Sequence, residues 1–177
     1  MTIMNLQNNK KMKTTTIILD HHQINQKIKR IAYQIYEANS SEKEVVIAGI
    51  QGNGIYFAEQ LAKSLQQISS LKIILCEVYI DKKNPLDTIS TSIQNIEYKN
   101  KPIVLVDDVL NSGTTLMFGI KYFLDVPLKR FKTAVLVNRN HKKYPVKADF
   151  KGISLSTSIK EHVEVVFDGK RSKAFLI

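Results

Sequence analysis

"IVLVDDVLNSGTTL", Ile103 to Leu116, decides how the rest of the chain is read. An apolar run leads into two adjacent carboxylates, Asp107 and Asp108, and then into a loop with one glycine and three hydroxyls. Like charges this close raise each other's pKa unless a cation stands nearby, so the pair predicts a positively charged partner. The spacing predicts a strand over "PIVLVDD" and a helix from about Thr114 to Leu124. A Gly- and hydroxyl-rich loop entering a helix offers backbone N–H groups and the positive helix end to an anion. Ser112, Thr114 and Thr115 add hydroxyl donors, and Gly113 lets the backbone approach closely. The lysine of a Walker loop is absent, which argues against a nucleoside triphosphatase. The acidic pair, one step before the cradle, suits sugar hydroxyls and a hard divalent cation bridging to a second phosphate group. A sugar phosphorylated at both ends fits this layout better than a monophosphate.

Outward from this stretch, strands and helices alternate. Asp20 with Gln23 forms a helix-start box, and Ile24, Ile28, Ile31 and Ile35 follow at helical spacing, predicting an amphipathic helix to about Ala38. "EVVIAGI" reads as a buried parallel strand, "QGNG" as a turn, and Ile55 to Ile68 as a second helix. "LKIILCEVYI" and "KTAVLVN" read as further strands. The polar stretch Asp81 to Asn100 reads as a mobile hairpin or lid. After "ADFKGISLS", "VEVVF", a DG turn and "KAFLI" predict a terminal β-hairpin. The fold class is therefore α/β, a doubly wound and mainly parallel sheet. Ligands of such sheets bind beyond the carboxyl ends of the strands, which places the site between Gly49–Gly54 and Asp107–Thr115.

At 177 residues the chain suits one domain. Met1 to Lys13 is polar, basic and unpatterned and reads as a disordered lead-in to a domain over 14–177. No run has the length and apolarity of a membrane span, and no signal-peptide pattern opens the chain, so a cytoplasmic protein is expected. The single cysteine, Cys76, excludes disulfide frameworks and thiolate metal cages. Net charge is +10 and uneven: residues 121–177 hold 13 Lys/Arg against 5 Asp/Glu, whereas residues 1–120 hold 13 against 11. A basic C-terminal third suits a polyanionic ligand.

"VLVDDVLNSGTTL" resembles the phosphoribosyl diphosphate (PRPP) signature of type I phosphoribosyltransferases. "IILDHHQINQKIKRIAYQIYE", "AGIQGNGIYFAEQLA" and "VLVNRNHKKYPVKADFKGISLSTS" narrow the resemblance to the pyrimidine operon attenuation regulators, which bind RNA and often carry uracil phosphoribosyltransferase activity. The resemblance implies the type I fold, a twisted sheet flanked by helices with a small hood. It implies transfer of a nucleobase, uracil foremost, onto the ribose phosphate of PRPP, with Mg²⁺ as cofactor and pyrophosphate as leaving group. Asp107 and Asp108 would be the catalytic pair, holding the ribose hydroxyls and the Mg²⁺–PRPP complex. Asn111, Ser112, Gly113, Thr114 and Thr115 would cradle the 5′-phosphate. Gln51, Gly52, Asn53 and Gly54 would contact pyrophosphate, while Lys147, Phe150 and Lys151 would meet the base. Arg139 and His141 would be candidate RNA contacts, and subunits would pair into a homo-oligomer.

The chain also departs from that family. The regulators usually carry an arginine in the pyrophosphate loop, where this sequence has Gly52-Asn53-Gly54. Their lid usually offers arginine with acids; here it offers Lys82 and Lys83. Their "DRGH" becomes Asn138-Arg139-Asn140-His141, which weakens transfer of the RNA-binding role. Purine-salvage relatives usually place a third acid where this chain has Asn111, which counts against a 6-oxopurine substrate. The alternative to an enzyme is a catalytically weak, nucleotide-sensing regulator that binds RNA.

Overall fold

Two apolar faces on each central strand organise the molecule. In the strand Glu44–Ile50 (β2), Val45 and Ile47 enter one core while Val46, Ala48 and Ile50 enter another. In Pro102–Leu110 (β5), Val104 and Val106 join the first core, and Ile103 and Leu105 the second. Side chains alternate across a strand, so both faces of the sheet need covering. Helices His21–Ala38 (α1) and Asn53–Ile68 (α2) cover the first face. The short helix Asn95–Tyr98 (α3) and Thr114–Phe123 (α4) cover the second. The computed structural model describes residues 15–140, 142–158 and 161–177; the expected lead-in and His141 lie outside them.

With Lys72–Tyr79 (β3), Ser90–Thr91 (β4), Arg130–Arg139 (β6) and Phe150–Leu155 (β7), the main sheet has six strands in the order β4-β3-β2-β5-β6-β7. All neighbours are parallel except β4, which runs antiparallel to β3. Thr16–Leu19 (β1), Val163–Val166 (β8) and Lys173–Leu176 (β9) form a separate three-stranded antiparallel sheet, the hood, in the order β1-β9-β8. The α/β architecture with a mainly parallel sheet is thus as expected.

Helix α1 shows the local logic. The Asp20 side chain accepts from Gln23 N–H at 2.8 Å, and the Gln23 side chain accepts from Asp20 N–H at 2.9 Å, closing the predicted box. Its buried face carries Ile24, Ile28, Ile31 and Ile35, each contributing about 1.5–3 kcal/mol by leaving water. At Gly49 the constraint is space rather than burial. A Cβ there would stand 2.7 Å from Ile55 Cα, so only glycine lets α2 cross the end of β2 so closely.

Four details differ from the sequence reading. Strand β5 continues past the acidic pair to Leu110, because Val109 and Leu110 still pair with Val137 and Asn138 of β6. The second half of the expected lid is packed: Tyr98, 1% exposed, meets the Phe123 ring edge-on at 5.0 Å. The terminal hairpin exists, but β1 joins it, and a 3-10 turn over Gly169–Arg171 replaces a tight two-residue turn. "ADFKGISLS" supplies β7, parallel to β6. Among the described residues no helix is long and apolar enough to cross a membrane.

Candidate functional site

The sheet splits at the acidic pair. Pairing of β5 with β2 stops at Val106, while pairing with β6 runs on to Leu110. Crossover α2 leaves on one face toward β3, and α4 leaves on the other toward β6. Such a divergence opens a crevice at the carboxyl ends. Here it holds a cavity of about 370 Å³ lined by Asn53, Lys82, Asp107, Asp108, Arg139 and His162 to Val165, together with part of the loop after β5.

Both carboxylates are buried, Asp107 to 4% and Asp108 to 9% exposure. Burial, and next the negative charge of Asp108, push the Asp107 carboxyl up to about 7, with Lys82 pulling in the other direction. Each acid meets a different donor. Lys82 Nζ lies 3.2 Å from Asp107 Oδ1. Asn53 Nδ2 donates to Asp108 Oδ2 at 2.9 Å and to the Val165 carbonyl at 2.8 Å. Asn53 therefore ties α2, the acidic pair and the hood together.

The loop after β5 forms a cup of about 40 Å³ lined by Asn111, Ser112, Gly113 and Thr115, with Asp107 and Val109 among its walls. Gly113 has φ +81, a left-handed conformation that costs other residues about 1–2 kcal/mol. Gly113 has no side chain to cap α4; Thr114 N–H donates to Ser112 Oγ at 3.3 Å, and the next N–H groups of the first turn are placed to meet an anion. Ser112 Oγ and Thr114 Oγ1 lie 2.9 Å apart. The Ser112 carbonyl accepts from Lys143 N–H at 2.8 Å and Tyr144 N–H at 3.1 Å, which anchors the cup. Beside it an open depression of about 760 Å³ is lined by Gln51, Gly52, Asp81, Lys82 and Lys83, together with Tyr79, Ile80 and Thr88. Lys82 borders both this depression and the acidic cavity.

The hood supplies the last wall. His162 and Ile177 exchange two hydrogen bonds of 2.9 Å. Antiparallel ladders alternate, so the backbone groups of Val163 and Val165 turn away from β9, and Val165 meets Asn53 there. Strand β8 is the outer strand of its sheet, and its outer edge borders the acidic cavity.

The structure gathers Asn53, Asp107, Asp108, Asn111, Ser112 and Thr115 around this cavity, with Gly113 in the adjoining cup and Gln51 and Gly52 in the depression. Gly54 is buried in the first turn of α2, where a Cβ would stand 3.2 Å from Asp107 Oδ1. Thr114 stays with the cup through Ser112. Lys147, Phe150 and Lys151 line none of these hollows. Phe150 fills the core under α1, where Arg30 seals the strand by donating to the Lys151 and Gly152 carbonyls at 2.7 and 2.6 Å. The Lys147 side chain is exposed, and its carbonyl accepts from Thr133 Oγ1 at 2.9 Å. Arg139 is 2% exposed and faces inward, where it lines the acidic cavity. The sequence reading missed His162 to Val165, which carry no motif, and the reach of Lys82.

The phosphoribosyl transferase domain family matches residues 14–168. The chain belongs to this family. It is 33% identical over 161 residues to the bifunctional protein PyrR of Limosilactobacillus reuteri, covering 85% of this chain and 90% of that one. It is 35% identical over 163 residues to the bifunctional protein PyrR of Streptococcus thermophilus, covering 88% and 93%. A hypoxanthine phosphoribosyltransferase of Trypanosoma cruzi shares its fold, with TM-score 0.70, 14% identity and 84% of each chain covered. A hypoxanthine-guanine phosphoribosyltransferase of Bacillus anthracis aligns with TM-score 0.68 and 20% identity over 85% of this chain and 86% of that one.

Members of this family generally use Mg²⁺ with PRPP, and the donor set here fits that use. Among the described residues no group of three or more His, Cys, Asp or Glu converges on a metal position. Asp107 and Asp108 supply two carboxylates and no third acid, which suits an ion that arrives with a polyphosphate and keeps its waters. Burial, and next the charge of Asp108, raise the Asp107 carboxyl even with Lys82 beside it.

Proposed function

We propose that the protein is a phosphoribosyltransferase that takes PRPP and a nucleobase, uracil foremost, to the nucleoside monophosphate and pyrophosphate. The observation that carries this reading is the buried Asp107–Asp108 pair set between an anion-sized cup and an open, lysine-flanked depression. That sequence of subsites matches a ribose bearing phosphate at one end and diphosphate at the other.

In this reading Ser112, Thr114, Thr115 and the first N–H groups of α4 hold the 5′-phosphate. Asp107 and Asp108 accept from the ribose hydroxyls and face the positive charge that develops on the sugar. Lys82, Lys83 and the loop over Gln51 to Gly54 border the diphosphate. The C1′–oxygen bond to diphosphate breaks, a C1′–nitrogen bond to the base forms, and the base nitrogen releases its proton. Mg²⁺, when bound, neutralises charge on the leaving diphosphate. Catalysis comes from positioning and fixed electrostatics.

The base would sit against the hood edge. Val163 offers a backbone N–H and C=O in sequence, a complement to the C=O and N–H edge of uracil. Asn111 Oδ1 already accepts from Arg139 at 2.9 Å, so an amide stands where purine enzymes have an acid. This favours a pyrimidine. The regulator reading rests on the basic C-terminal third and on kinship with proteins named bifunctional; the inward Arg139 counts against that reading's RNA contact. The test is a panel of bases incubated with PRPP and Mg²⁺, read as nucleotide formed and pyrophosphate released. Nucleotide from uracil is the expected result, and no nucleotide from any base would overturn the reading.

A further inference from the structure

Behind the hood lies a further hollow of about 220 Å³. It shares no residue with the acidic cavity, the cup or the depression. Three elements close it: the first turns of α1, the first half of α2 and the turn after β8. Ile24 and Ile28 give it an apolar floor. Tyr56 stacks on Phe167, with ring centroids 4.6 Å apart, to give it an aromatic wall. A space of about 150 Å³ is enough for benzene, so one aromatic ring with a small substituent fits here.

The polar groups of the hollow specify that substituent. Asn25 Nδ2 donates to His21 Nε2 at 2.9 Å. The ring proton then sits on Nδ1, which is buried and meets no acceptor among the described residues. A buried donor without a partner is costly, and turning the imidazole toward a ligand oxygen removes that cost. Lys170 adds an exposed ammonium to the lining, which holds no carboxylate. The neighbouring acids are engaged elsewhere. Asp168 Oδ2 lies 2.8 Å from Arg171, and Asp20 Oδ1 accepts from Gln23 N–H at 2.8 Å. The hollow is therefore aromatic and apolar within and offers donors and positive charge to an anion.

The geometry points to a second ligand site on the back of the hood, built for a small aromatic carboxylate. The assignment stands apart from the phosphoribosyltransferase reading, because no residue of the catalytic cavity enters it. The ring of the ligand lies against Tyr56 and Phe167, and its carboxylate meets Lys170 and His21 in charge-assisted hydrogen bonds. A ligand held there bridges α1 and α2 to the turn that joins β8 to β9. It thus braces the hood from outside the catalytic cavity.

Isothermal titration of benzoate into the full chain tests the site, with benzylamine as a probe of similar ring and opposite charge. Benzoate is expected to bind with Kd of about 1 mM or tighter, and benzylamine about tenfold more weakly or not at all. Lys170→Glu, a change on an exposed side chain, is expected to weaken benzoate about tenfold. Gln60→Trp, which fills the hollow from α2, is expected to abolish its binding. Saturating ribose 5-phosphate and uracil should leave benzoate affinity unchanged, and bound benzoate should slow hydrogen exchange in the β8–β9 turn. If Gln60→Trp fails to fold, Lys170→Glu decides. No benzoate binding, equal binding of benzylamine, or undiminished affinity in Lys170→Glu overturns the assignment and leaves the enzyme reading intact. Loss of benzoate binding when the catalytic cavity is filled also overturns it, by placing the probe there.

Discussion

Lys82 Nζ stands 3.2 Å from Asp107 Oδ1, so a lysine from the exposed stretch after β3 neutralises part of the acidic pair in the free protein. The lysine is half-exposed and the carboxylate is not. In the proposed reaction a Mg²⁺–PRPP complex arriving at Asp107 would displace Lys82, which also borders the open depression. Lys82→Met removes that second contact, and its loss is expected to raise KM for PRPP about tenfold, equivalent to about 1.4 kcal/mol. Initial rates at varied PRPP check this, and an unchanged KM would place the lysine outside the reaction.

Asp107 sets a pH dependence. Its folded pKa, pushed up to about 7 mainly by burial, lies above the ordinary value of 3.8. The protonated acid is therefore the form the fold prefers. The stability it contributes is fully present below the ordinary value and is lost as pH rises through the folded one. Between pH 5 and 8 the ligand-free protein should lose about 1–3 kcal/mol that Asp107→Asn does not lose. Denaturant melts of both proteins at the two pH values measure the difference. Binding of a Mg²⁺–PRPP complex against Asp107 should likewise release a proton near neutrality, visible as a buffer-dependent heat.

Asn53 bridges Asp108 and the Val165 carbonyl. Asn53→Ala leaves a buried carboxylate oxygen and a strand carbonyl without that donor, a loss of about 1–3 kcal/mol. Hydrogen exchange should quicken across β8 more than in β5, because only the hood loses an anchor to the main domain there. Equal protection in both strands would show that the hood is held by its own ladder.

Lys147, Phe150 and Lys151 separate the two placements of the base. Phe150→Ala is expected to destabilise by about 3–5 kcal/mol as a core truncation. Lys147→Ala and Lys151→Ala should leave KM for the base within about twofold, since neither side chain lines the cavity and exposed substitutions are usually small in effect. A large KM change in either lysine variant would restore the base to that stretch.

These cases show what the sequence could tell. Helix α1 was readable because Asp20, Gln23 and the isoleucine stripe are all local signals. The acidic pair and the cup were readable because one short loop carries them. The place of Val163 in the cavity wall was not, since it depends on which backbone edge the β8–β9 ladder leaves turned outward. Strand β1 was missed because its partner lies at the far end of the chain. The directions of Phe150 and Arg139 were not readable for a shared reason: the motif shows which residue is present, and packing decides which way it points. Arg139 turns inward because four acceptors wait there, and Phe150 because α1 closes over its strand.

The hood also sets a timetable for folding. Its ladder pairs Thr16 with Leu176, so a loop of nearly the whole chain must close before the first of those bonds can form. Loop-closure entropy must be met before such distant contacts return anything. The parallel sheet, with its acidic pair and anion cup, is built from nearer neighbours and can assemble earlier. A late kinetic phase should therefore gate the appearance of base binding, while sugar-phosphate binding appears with the sheet.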